Sequence, residues 1–184
     1  SPHMPTLTFV DLCAGIGGFH QALRQLGHTC VFACELDKDL QEIYKLNYDM
    51  EHEQVRGDIR DHIKEIPPHD ILCAGFPCQP FSKSGYQLGL NDGDRGTVFD
   101  AIMEVIEHQA ANGGAPQYII LENVGNLERH DNGQTWTHIQ EALEEHYHID
   151  ATRHVRCGGP GLLSPHHLGF PQVRERFFIV GIRK

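Results

Sequence analysis

The sequence predicts an α/β protein built on a mostly parallel sheet with helices on both faces. Three observations carry that expectation. Short apolar runs alternate with amphipathic stretches from end to end, the pattern of strands joined by crossover helices. Glycine-rich or acidic loops follow several of the apolar runs, and in such sheets ligands bind beyond the carboxyl ends of the strands. No repeat, low-complexity tract or linker interrupts the 184 residues, so one domain with a sizeable core is expected.

The elements follow in order. Thr8 to Leu12 reads as a buried strand running into a glycine turn, and Gly18 to Leu26 as a helix closed by Gly27. Cys30 to Cys34 is a second strand, and Asp37 to Asn47 a second helix with Asp37 near its N-cap. Asp70 to Ala74 is a further strand, Val98 to Ala110 a helix, and Tyr118 to Leu121 a strand. Thr135 to Glu145 has helical spacing, and Arg176 to Ile182 closes the series as a strand. The loops 13–18, 35–37, 57–59, 76–96 and 122–132 then share one sheet edge. The stretch 76–96 is rich in Gly, Ser and Asp, and long loops inside compact domains are usually functional.

Composition narrows the partners. The formal net charge is −10, from 15 Lys and Arg against 25 Asp and Glu. That excludes a chain that coats nucleic acid by bulk charge; a nucleic-acid enzyme of this charge needs a local basic face or a borrowed one. Fourteen histidines can add positive charge at mildly acidic pH. Ser1-Pro2-His3 ahead of Met4 reads as a tag remnant. No signal peptide or membrane-length apolar run is expected. The six cysteines lie mostly in apolar segments, which suggests a reducing cytoplasm. Zinc competes through Cys30-x-x-x-Cys34 and Cys73-x4-Cys78, but neither spacing matches the common finger or ribbon patterns.

The first constellation is Asp11-Leu12-Cys13-Ala14-Gly15-Ile16-Gly17-Gly18. Its glycines permit close backbone approach to a ligand, and the helix that follows favours negative charge at its start. By itself it is equally readable as a tight turn, and its spacing is not that of the dinucleotide fingerprint. Glu35 ends the second strand, where an acid can accept from ribose hydroxyls. Asp58, in Gly57-Asp58-Ile59, ends the next element and suits an adenine amino group. Either acid alone reads as a solvated carboxylate or helix cap. The three together, in this order, favour an adenosine-type cofactor.

The second constellation is Gly75-Phe76-Pro77-Cys78-Gln79-Pro80-Phe81-Ser82. Cys78 stands between two prolines just past a buried strand, whereas Cys73 inside the strand is the structural kind. Glu122-Asn123-Val124 follows the strand at 118–121, and Gln172, Arg174 and Arg176 alternate along an extended segment and share a face. Taken alone, the two arginines read as surface partners of Glu175.

In this order the motifs resemble those of the DNA (cytosine-5)-methyltransferases of the bacterial restriction-modification type. They run from the glycine turn through Glu35, Asp58, Pro77-Cys78, Arg95-Gly96-Thr97 and Glu122-Asn123-Val124 to Gln172-x-Arg174-x-Arg176, with His130-Asp131-Asn132-Gly133 also similar. The resemblance implies a Rossmann-like S-adenosylmethionine-dependent methyltransferase fold over 4–184, acting on double-stranded DNA in a bacterial, nucleoid-associated setting. It implies a cofactor site over Asp11, Cys13, Ala14, Gly15, Gly17 and Gly18, then Glu35 and Leu36, Asp58 and Ile59, and Gly75 and Pro77. Cys13 and Leu36 stand where the family commonly has aromatics. Pro77, Cys78, Glu122, Asn123, Arg174 and Arg176 become the catalytic set, and Gln79, Ser82, Ser84 and Thr97 belong to the substrate loop. Thiolate addition at C6 creates electron density at C5; Glu122 suits N3 and Arg176 suits O2. A base inside a duplex must be flipped out to be reached.

The family's target recognition domain and late cofactor segment have no counterpart in these 184 residues, which read as one subunit of a split enzyme, a shortened piece or a degenerate fragment; a second polypeptide carrying both is expected as a partner, with self-sufficiency through homodimerisation as the alternative. The same chemistry on tRNA is the nearest alternative. A non-catalytic cofactor- or partner-binding subunit is another, opposed by the intact catalytic set. A redox protein is a weaker one, because Cys78 lacks a resolving cysteine two residues away.

Overall fold

The computed structural model describes residues 4–15, 17–78, 96–124, 127–154 and 176–184. Its sheet is built from β1 (Thr8–Leu12), β2 (Thr29–Cys34), β3 (Val55–Arg56), β4 (Ile71–Pro77), β5 (Tyr118–Val124), β6 (Tyr147–His154) and β7 (Arg176–Arg183). The strand order is β3-β2-β1-β4-β5-β7-β6. The first five strands in that order pair parallel, and β7 pairs antiparallel with both β5 and β6. The helices are α1 (Gly18–Gln25), α2 (Lys38–Tyr48), α3 (Ile59–His62), α4 (Val98–Ala111) and α5 (Gln134–Glu144).

The expected mostly parallel α/β sheet is present, with two strands that the sequence reading did not contain. β3 has only two residues, too few to show a period. β6 mixes buried Tyr147 with charged and polar neighbours at the sheet edge, so its apolar signal is diluted. The order reverses around β1 and β4, the arrangement that opens a ligand crevice at the carboxyl ends.

One face of the sheet carries Val10, Leu12, Leu72, Ala74, Ile119, Leu121, Phe177 and Ile179 under α4 and α5. In α4, Phe99, Ile102, Val105 and Ile106 are all buried. Each side chain of that size contributes roughly 1.5–3 kcal/mol on full burial. Thr97 starts α4 through a reciprocal capping box with Asp100, which satisfies two otherwise orphaned amides. The opposite face is covered by α1 and α2 over β1, β2 and β4, where Phe9, Ile71 and Cys73 pack with Leu23. Gly181 is required where β7 crosses β5, since a Cβ there would meet Ile119 Cγ1 at 2.6 Å.

Candidate active site

The carboxyl ends of β1, β2 and β3 lie side by side. Backbone bonds tie the loops that leave them: Ala14 N to Cys34 O at 2.9 Å and Glu35 N to Arg56 O at 2.8 Å. In the glycine turn the backbone is left-handed at Cys13 (φ 60°), Gly15 (φ 56°) and Gly17 (φ 92°). A cysteine in that region is strained, and such strain gathers at functional sites. Glu35 locks the turn: Oε1 accepts from Gly15 N and Oε2 from Asp37 N, each at 2.8 Å. A Cβ added at Gly15 or Gly18 would meet nothing within 4 Å, so the turn presents bare backbone to an open side.

Its other side is packed. Tyr48 donates to Gly17 O at 2.9 Å, and a Cβ on Gly17 would sit 2.4 Å from the Tyr48 ring. Tyr48 stacks on His20 with centroids 3.8 Å apart. His20 Nδ1 lies 2.6 Å from the Tyr44 hydroxyl, which donates to Asp11 Oδ2 at 3.0 Å. Burial, reinforced by the Glu35 charge and opposed by the Tyr44 bond, pushes the Asp11 carboxyl up to about 8. Burial and the Arg24 charge push His20 down to about 4. Helix α2 therefore braces the turn from behind through residues absent from the sequence reading. The signal available was the i, i+4 spacing of Tyr44 and Tyr48, which marks one helix face without showing what it meets.

Asp58 caps α3, accepting from Arg60 N at 3.0 Å, and the Arg60 guanidinium forks its carboxylate at 2.9 and 2.8 Å. Ile59 is buried beneath it, whereas Leu36 beside Glu35 is 65% exposed.

On the other side of the crevice, register places Glu122 opposite Gly75, Asn123 opposite Phe76, and Arg176 opposite Val124. Cys78 follows directly after exposed Pro77. Its thiol donates to Asn123 Oδ1 at 3.3 Å, and the fully buried Asn123 anchors itself by donating Nδ2 to Phe76 O at 2.9 Å. Arg176 donates to Glu122 in a partly buried ion pair. The other described thiols are held in their protonated form: burial pushes Cys13 and Cys30 up to about 12, and raises Cys34 and Cys73 well above the ordinary thiol value. None of the described cysteines is in a disulfide. Arg174, Gln79, Ser82 and Ser84 lie outside the described residues. Thr97 is described, nearly buried, with its hydroxyl engaged in the α4 cap.

The model of the family described as C-5 cytosine-specific DNA methylase matches residues 7–184. The chain belongs to that family. It is 40% identical over 178 residues to the type II methyltransferase M.HhaI of Haemophilus parahaemolyticus, a match covering 96% of this chain and 49% of that protein. It is also 40% identical to M.HpaII of Haemophilus parainfluenzae, over 96% of this chain and 46% of that protein. The chain thus spans about half the length of these relatives. The fold agrees with the S. pombe Dnmt2 methyltransferase (TM-score 0.62, 22% identity, covering 96% of this chain and 49% of that one). Among the described residues, no helix of this methylase-family chain is long and apolar enough to cross a membrane.

Proposed function

We propose that this chain is the catalytic and cofactor-binding part of an S-adenosylmethionine-dependent enzyme that methylates C5 of cytosine in DNA through a covalent Cys78 adduct. The observation that carries the reading is the convergence of Cys78, Asn123, Glu122 and Arg176 on the sheet edge that also holds the glycine turn, Glu35 and Asp58. The residues suit the cofactor. Bare backbone at Gly15 and Gly18 faces open space, and two carboxylates beyond β2 and β3 accept from hydroxyl and amino donors. Bound there, S-adenosylmethionine supplies an electrophilic methyl group.

The chain's own residues do the rest. The Cys78 thiolate adds to C6, forming an S–C6 bond and moving the ring's electron pair toward C5. Glu122 serves N3, where a proton or hydrogen bond stabilises the adduct, and Arg176 serves O2 with a permanently charged planar donor. Their mutual ion pair keeps both side chains oriented until the base arrives. Asn123 accepts from the Cys78 S–H through its carbonyl oxygen and so positions the thiol before its proton leaves. Loss of the C5 proton and of the Cys78 sulfur restores the ring. In duplex DNA the base must first leave the stack.

A polypeptide beyond these 184 residues, carrying target recognition and completing the cofactor pocket, is part of the same proposal. Support comes from the sheet face opposite α4 and α5, where Val180 and Ile182 on β7 are 44% and 51% exposed beside Ile120 and Tyr118. Exposed apolar patches of this kind mark interfaces. The test is transfer of labelled methyl from S-adenosylmethionine to DNA or to tRNA, with and without a recognition-domain polypeptide. DNA labelling that requires the added polypeptide supports the reading. Labelling of tRNA alone would overturn the DNA assignment, and robust site-specific labelling by the chain alone would overturn the partner.

A further inference from the structure

We propose that Tyr44 is a positioning residue for the cofactor: its hydroxyl ties the far end of the glycine turn to the sheet, and so sets the affinity of the pocket. The inference rests on the adenosine-cofactor reading above and adds a residue that reading does not contain.

The two ends of the turn are held differently. Asp11 belongs to β1 and pairs with Ala33 on β2 and Cys73 on β4, so the backbone entering the turn is set by the sheet. The backbone leaving it has no such frame. Gly18 opens α1, and Gly17 at the N-cap has no side chain with which to close the first helical turn. Between these ends, Cys13, Gly15 and Gly17 are all left-handed, a conformation that the surroundings must maintain.

Tyr44 supplies the missing hold from α2. It is fully buried, and it packs with Ala14 of the turn and with Ala33 and Val55. Its hydroxyl donates to Asp11 Oδ2 at 3.0 Å and lies 2.6 Å from His20 Nδ1. A phenolic hydroxyl has one proton to give, so with that proton on Asp11 its oxygen accepts from His20. Burial keeps the His20 imidazole neutral, which assigns its single ring proton to Nδ1. Phe9 meets the same ring edge-on, with centroids 5.3 Å apart, and Tyr48 stacks on it. The tie therefore runs from sheet-held Asp11, through one hydroxyl, to the third residue of α1.

The consequence for binding is preorganisation. A ligand that takes its hydrogen bonds from bare backbone gains affinity when that backbone already has its bound shape, because freedom lost on binding subtracts from affinity. Phenylalanine at 44 keeps the packing on Ala14 and loses the tie.

The experiment is calorimetric titration of the chain with S-adenosylhomocysteine, read beside the amide NMR signals of Gly15 and Gly17. Wild type is compared with Y44F and Y147F. Tyr147 is a matched control, equally buried, whose hydroxyl donates to Pro116 O at 2.7 Å by the amino end of β5. Both variants should melt earlier than wild type. Y44F alone should weaken binding by about three- to tenfold and shift both glycine signals. A second pair reads the tie apart from the packing: H20N and H20L both lose the ring on Tyr48, but asparagine keeps a polar atom where Nδ1 stands. H20N should bind more tightly than H20L. Unchanged affinity in Y44F, or equal weakening in Y44F and Y147F, overturns the role of Tyr44 and leaves the cofactor reading standing. If Y44F does not fold, equal affinities in H20N and H20L overturn it instead. A wild type that takes up no S-adenosylhomocysteine overturns the cofactor reading and this inference with it.

Discussion

Replacing Asp11 by asparagine isolates the energetics of burying an acid behind the cofactor turn. Asp11 is 1% exposed, its Oδ2 accepts from Tyr44, and its Oδ1 meets no hydrogen-bond donor among the described residues. Its carboxyl titrates at about 8 in the folded chain, against an ordinary value of 3.8. A raised acid contributes stability that is fully present below 3.8 and is lost as pH rises through 8. His20 works in the opposite sense. Lowered from 6.5 to about 4, it contributes stability that is present above 6.5 and lost as pH falls through 4. Between pH 4 and 6.5 the folded chain holds one proton more than the unfolded chain at Asp11 and one fewer at His20, so the two effects cancel. From 6.5 to 8 only Asp11 acts. Over those 1.5 pH units, at about 1.36 kcal/mol each, stability falls by about 2 kcal/mol. An asparagine side chain carries no charge, so Asp11→Asn should lack this decline and should keep the low-pH loss of stability from His20 and from His69, which burial also lowers. Any fixed effect of the new amide shifts the whole curve without changing its slope. The assay is urea unfolding followed by circular dichroism at pH 5, 6.5 and 8 for both proteins, read as the difference between their profiles. Parallel profiles from 6.5 to 8 would refute the burial argument.

Three further outcomes are expected. With a completed enzyme and DNA containing 5-fluorocytosine, Cys78→Ser should abolish the covalent adduct and Cys73→Ser should retain it; a gel-stable adduct in Cys78→Ser would show that another residue is the nucleophile. Gly17→Ala should lose about 1–3 kcal/mol of stability, because the alanine must adopt φ 92° and its Cβ would overlap the Tyr48 ring; thermal melting within a degree of wild type would show that the turn relaxes freely. Asp58→Ala should weaken S-adenosylhomocysteine binding by about 1–3 kcal/mol, the range for removing one partner of a buried hydrogen bond, and calorimetry giving equal affinities would remove Asp58 from the cofactor site.

Local patterns made much of this molecule legible. The strand at 8–12, the glycine turn and the helix after it leave their mark within a short stretch of consecutive residues, as does the cap at Asp37, which accepts from Asp39 N and Leu40 N as expected. The reactive segment is local too: Pro77 and Pro80 bracket Cys78, and Glu122-Asn123 follows its strand directly. Which side chain answers which was not legible. From the sequence Asn123 is only a member of the implied catalytic set, and the parallel register of β4 with β5 is what brings it to the Cys78 sulfur. β3 and β6 escaped because a two-residue strand has no period and an edge strand has little apolar contrast.

By itself, then, the sequence determined the α/β class, the order of the motifs and the candidate for the reactive cysteine, since these depend on residue types at short spacing. The tertiary structure alone decided that Tyr48 supports Gly17, that Asp11 is buried against Tyr44 and His20, and that Arg60 spans from Asp58 to Gly96. Those contacts join segments far apart in the chain, and their energies arise from burial and distance, which exist only once the sheet has set the loops beside one another.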